Sequence, residues 1–133
     1  MGFRMNITNE LLLEYKKHHK KEFNFQNFGY KQDMWECYTS KIKCRDADRL
    51  FDYNPTYGTL SMFTDFHLVY DATDKEVALE LFGNCNLKSW EEFLYYMNQY
   101  KAFERAALKF KKEIVIESKK IELEEDFNND DAD

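Results

Sequence analysis

Residues Thr59 to Asp71 read TLSMFTDFHLVYD, and this run decides the fold class. Its second half alternates. Met62, Thr64, Phe66, Leu68 and Tyr70 fall on one side of an extended chain, and Phe63, Asp65, His67, Val69 and Asp71 fall on the other. A period of two with β-branched and aromatic residues predicts a half-buried strand. The more apolar side, Met62, Phe66, Leu68 and Tyr70, is the expected core side. DATDK follows and then KEVALELFG, a second strand-type run, so the two form an expected hairpin. A third strand-type run, MWECYTSKIKC, precedes them across the loop DYNPTYG, where Asn54-Pro55 and Gly58 form the turn.

After GNCN the period changes from two to three and four. Ser89 followed by Glu92 is a capping box, in which the serine oxygen takes a free N–H at the third helical position. Trp90, Phe93, Leu94, Met97, Phe103, Ala107, Phe110 and Ile114 then recur at helical spacing, which predicts one long amphipathic helix. EIVIESKKIELEE is ambiguous, because Ile114, Ile116, Ile121 and Leu123 also fit a period of two; an extended segment returning to the sheet edge is expected over 113–125. Upstream, NITNELLLEYKKHHKKEF predicts a first helix capped by Asn6 or Thr8 with Leu11, Leu12, Tyr15 and His19 on one side. The expected fold is therefore α+β: an N-terminal helix, an antiparallel meander of three or more strands, and a long helix on the sheet.

The chain is 133 residues long, which suits one domain over 1–121 and an acidic, flexible tail over 122–133. ELEEDFNNDDAD, residues 122–133, holds seven acids and no base, and setting these aside from the formal −6 leaves +1 for the rest. The acidity is thus a property of the tail. Twelve Phe and nine Tyr provide ample apolar surface for a core. Enrichment in Lys, Asn, Phe, Tyr, Ile and Glu also follows from AT-rich codons, as in a low-GC bacterium, its phage or a plasmid.

Three cysteines, Cys37, Cys44 and Cys85, lack metal or redox spacing, and no apolar run approaches the roughly 18 residues of a membrane span. A cytoplasmic protein without a membrane role is expected. His18 and His19 are adjacent on a helix and diverge by about 100°, so they do not share an ion. No glycine pattern of a phosphate or dinucleotide loop is present, and neither metal nor cofactor is expected.

Three functions compete. The first is a small non-catalytic binding protein, of the kind that phages and mobile elements encode to bind and inhibit a host protein such as a nucleic-acid enzyme or defence nuclease. Trp35, Tyr53 and Tyr57 are its expected interface anchors, because exposed aromatics dominate interface energies. The second is single-stranded nucleic-acid binding through KKHHKKEFNFQNFGYK, residues 16–31. There Lys16, Lys17, Lys20 and Lys21 would meet phosphates, Phe25 and Phe28 would stack on bases, and the acidic tail would mask the groove. The plainer account of that run is a solvated helix face followed by core. The third is a small hydrolase using Asp65 and His67, since a carboxylate beside an imidazole can prepare a general base. Neither a nucleophile nor a phosphate loop accompanies the pair, and a polar outer sheet face accounts for it equally.

Overall fold

A computed structural model describes residues 5–45, 49–73 and 75–130, with side chains at positions 115, 118 and 125–130 outside the description. The elements are α1 (Asn9–His19), β1 (Phe23–Gln26), β2 (Trp35–Thr39), β3 (Arg49–Asn54), β4 (Thr59–Asp71), β5 (Glu76–Leu87) and α2 (Trp90–Asp130). The five strands form one antiparallel sheet in chain order, a meander, and the fold is α+β as expected.

Both helices lie on one face of the sheet. The Tyr15 ring meets Phe93 at 5.1 Å and Phe25 at 6.4 Å, and Phe93 stands edge-on to Phe51 of β3. Thr8 caps α1 by accepting from the Leu11 N–H, and Asn9 takes the Tyr53 hydroxyl at 2.6 Å, which ties the helix to β3. Ser89 opens α2, accepting from the Glu92 N–H and donating to the Glu92 carboxylate, both at 3.2 Å. On α2, Phe93, Met97, Tyr100, Glu104 and Ala107 are buried, in steps of four and three that keep one line against the sheet. Two of these, Tyr100 and Glu104, were absent from the apolar stripe read in the sequence because they are polar; the Tyr100 hydroxyl donates to Glu104 at 2.7 Å, which satisfies the pair inside the core.

The expected core side of β4 is inward. Met62 is fully buried, and Phe66 meets Tyr100 and Phe103 at 5.3 and 5.8 Å. Tyr70 departs from the expectation, since it is 62% exposed near the tip of the β4–β5 hairpin. β3 pairs with β4 only over Thr59–Met62, so the rest of β4 pairs with β5 alone among the described residues. The segment leaving β2 covers the far edge of β5: Leu79 N–H donates to the Lys43 carbonyl and its own carbonyl accepts from Arg45 N–H, both at 2.8 Å.

Two expectations are corrected. The strand read as KEVALELFG is longer than expected, because β5 runs on through GNCN to Leu87, with Gly83 at φ 70° opposite Thr64 and Asp65, and the change of period after GNCN stands. And 113–125 does not return to the sheet: the helix continues to Asp130, through the first nine residues of the acidic run. Residues 131–133 of the expected tail lie outside the described residues.

Candidate functional site

The molecule presents several surfaces, and the two most exposed aromatics among the described residues, Tyr57 and Tyr30, lie in neighbouring loops. Trp35 begins β2 and is 1% exposed; its indole N–H donates to the Tyr30 carbonyl at 2.9 Å and so pins the loop over 27–34. Thr56, in the β3–β4 turn, donates its hydroxyl to the Lys31 carbonyl at 3.4 Å, which sets turn and loop side by side. In that turn the Asn54 side chain accepts from the N–H groups of Thr56 and Tyr57 at 2.9 and 3.2 Å, an Asx-type clasp, and Gly58 supplies the positive φ. Tyr57 is thus carried on a braced turn with 79% of its surface exposed, and the neighbouring loop exposes Tyr30 (65%) and Met34 (40%).

Of the three expected anchors, Tyr57 is therefore exposed and the other two are corrected. Trp35 and Tyr53 are core residues, each 1% exposed, with ring centroids 5.5 Å apart. A ring so enclosed cannot meet a partner without unfolding its surroundings. Tyr30 and Met34 were missed, and the signal for them was their place in a short polar loop with a glycine at φ 96°, Gly29.

The basic run divides between surface and core. Lys17, Lys20 and Lys21 are exposed, and Lys16 is half-buried with its ammonium 5.9 Å from the Phe28 ring centroid. Phe28 is buried and Phe25 half-buried, with their rings 5.1 Å apart and Phe28 tilted over Trp35. Of the two phenylalanines expected to stack on bases, Phe28 is packed in the core and Phe25 is packed against it with part of its ring surface left accessible.

Asp65 and His67 lie on the outer face of the β4–β5 hairpin, both exposed. His67 has Phe82 edge-on at 5.2 Å, and its cross-strand neighbour Glu80 pairs with Arg45 at 3.5 Å. Among the described residues no hydrogen bond joins Asp65 to His67.

A charged cleft of about 380 Å³ lies between the end of α1 and α2, lined by Glu22, Lys41, Lys101, Glu104, Arg105 and Leu108. Burial raises the Glu22 carboxyl, but its hydrogen bonds to Lys101 (3.2 Å) and His19 (3.1 Å) outweigh this and hold it below the ordinary glutamate value. Lys101, Glu22 and His19 answer one another and tie the end of α1 to α2, while the lining as a whole carries three cations, Lys41, Lys101 and Arg105, against two carboxylates. Among the described residues no group of three or more His, Cys, Asp or Glu is placed to hold a metal ion, and no helix is long and apolar enough to cross a membrane. Burial pushes the Cys37 thiol well above its ordinary value, so this cysteine is a packing residue. Comparison with protein-family models, with curated proteins and with solved structures returned no match.

Proposed function

We propose that the protein is a non-catalytic binding module that docks on another protein and inhibits it, with Tyr57 as the central anchor. The observation supporting this is the braced turn. A tyrosine whose backbone is already fixed by such a clasp has only its side-chain rotamers left to order on binding, and aromatic anchors carry a large share of interface energies. Tyr30 and Met34 supply apolar surface in the neighbouring loop. The inhibitory role, on behalf of a phage or mobile element and directed at a host nucleic-acid enzyme or defence nuclease, rests on the small, aromatic-rich, AT-biased composition. Catalysis by Asp65 and His67 has less support, because both stand on an open sheet face where water is not excluded.

A fluorescence anisotropy titration against labelled single strands separates this reading from nucleic-acid binding. The expected result is no salt-dependent binding at physiological ionic strength, for the full chain or for a chain ending at residue 121. Tight binding that grows stronger without residues 122–133 and weakens steeply with salt would overturn the proposal, since that pattern marks released counterions and an unmasked groove.

A further inference from the structure

We propose that the charged cleft between the end of α1 and α2 binds a small acidic amino acid, aspartate or glutamate, with its ammonium at Glu104 and its two carboxylates at Lys41 and Arg105. One wall of the cleft is a single face of α2. Lys101, Glu104, Arg105 and Leu108 follow one another at helical spacing, which sets them side by side. Glu22 enters from the turn after α1, and Lys41 from the segment after β2. These walls are tied together: the Ser40 hydroxyl donates to the Glu22 carbonyl at 3.1 Å, Lys101 reaches the Glu22 carboxylate at 3.2 Å, and Ile42, next to Lys41, is buried.

The lining leaves three charged groups unanswered. Lys101 and Glu22 are engaged with one another and with His19. Glu104 is 5% exposed, yet among the described residues its carboxylate receives one hydrogen bond, from the Tyr100 hydroxyl, and no cation. A carboxylate so enclosed is costly unless a further donor or a cation meets it. Lys41 and Arg105 are exposed at the same cleft and make no ion pair among the described residues.

Those three groups select the ligand. Glu104 calls for an ammonium, and the two cations call for anionic groups, of which a carboxylate can take the arginine fork through two parallel hydrogen bonds. Their formal charges sum to +1, so the complement carries one ammonium and two carboxylates. A plain anion such as phosphate would meet the Glu104 carboxylate as a like charge. Leu108 is the one apolar side chain of the lining among the described residues, which gives a nucleobase no ring to stack on. The volume of about 380 Å³ lies toward the lower end of small-molecule sites, about 300 to 1,000 Å³, and suits a compact ligand. The cleft shares no residue with the Tyr57 turn, so ligand binding here does not depend on the protein partner proposed there.

Isothermal titration calorimetry of the full chain with L-aspartate and L-glutamate, and with succinate, glutarate and inorganic phosphate as controls, each to about 20 mM, tests the site. The expected result is a dissociation constant below about 1 mM for at least one of the amino acids. The dicarboxylates, which lack the ammonium, should bind at least about tenfold more weakly, and phosphate should not bind. Arg105→Gln and Lys41→Gln should each weaken the amino acid by about fivefold or more with unchanged thermal melts, because both side chains are exposed. Glu104→Gln keeps an oxygen for the Tyr100 hydroxyl but removes the charge. It should weaken the amino acid by about tenfold and tighten the matching dicarboxylate, a reversal that a merely structural role would not produce. Absence of binding by both amino acids up to about 20 mM, dicarboxylate or phosphate binding as tight as the amino acid, or an affinity unchanged in Arg105→Gln would overturn the proposal.

Discussion

Trp35→Ala is expected to remove most of the cooperative stability of the domain. Trp35 is fully enclosed, with Phe28 at 5.1 Å and Tyr53 at 5.5 Å, and truncation of such a ring costs about 3 to 5 kcal/mol in lost burial and residual cavity. The indole also donates to the Tyr30 carbonyl, and losing this bond adds about 1 kcal/mol. Against a total of about 5 to 15 kcal/mol for domains of this kind, the variant is left marginal. A thermal melt followed by circular dichroism should show a midpoint lowered by about 10 to 25 °C, or no cooperative transition. Trp35→Phe keeps most of the volume and should fall between the two. An Ala variant that melts like the unmodified protein would show that the loop over 27–34, not the core, holds this ring.

Tyr57→Ala is expected to give the opposite pairing of effects. The side chain is 79% exposed, and the Asx clasp beneath it uses only the Tyr57 backbone, so stability should stay within about 0.5 kcal/mol. Affinity for the protein partner should fall by about 2 kcal/mol or more, which is about thirtyfold. Titration calorimetry or surface plasmon resonance with the captured partner reads this directly, with the melt as control. An affinity changed by less than threefold would remove Tyr57 from the interface.

What could be read from the sequence follows from where local pattern and tertiary packing agree. The alternation in β4 and the Ser89 cap were legible because one face of each element is buried and the pattern records it. β3 was not, because Leu50 and Phe51 are adjacent and both buried: the register shift between Cys37 and Tyr38 breaks the alternation that would have marked a strand. β1 was hidden behind the lysines that precede it, since four residues, FNFQ, are too few to establish a period. The distal part of α2 was ambiguous for a different reason. Ile114, Ile116, Ile121 and Leu123 satisfy spacings of two and of seven together, and of these four only Ile114 is even half-buried, so burial leaves little pattern in the sequence to decide between them. The exposed aromatics were legible only in part. Tyr57 follows a proline turn and reads as surface, but nothing local marks Trp35 and Tyr53 as inward, since their burial depends on strands that pair across the sheet.

The most direct measurement is an affinity capture from the native host, with the full chain as bait, nuclease treatment in a parallel arm, and Tyr57→Ala as the matched control. The account predicts a protein captured in stoichiometric amount, retained after nuclease treatment and lost with Tyr57→Ala. Recovery of nucleic acid alone, or of proteins that disappear on nuclease treatment and persist with Tyr57→Ala, would contradict it.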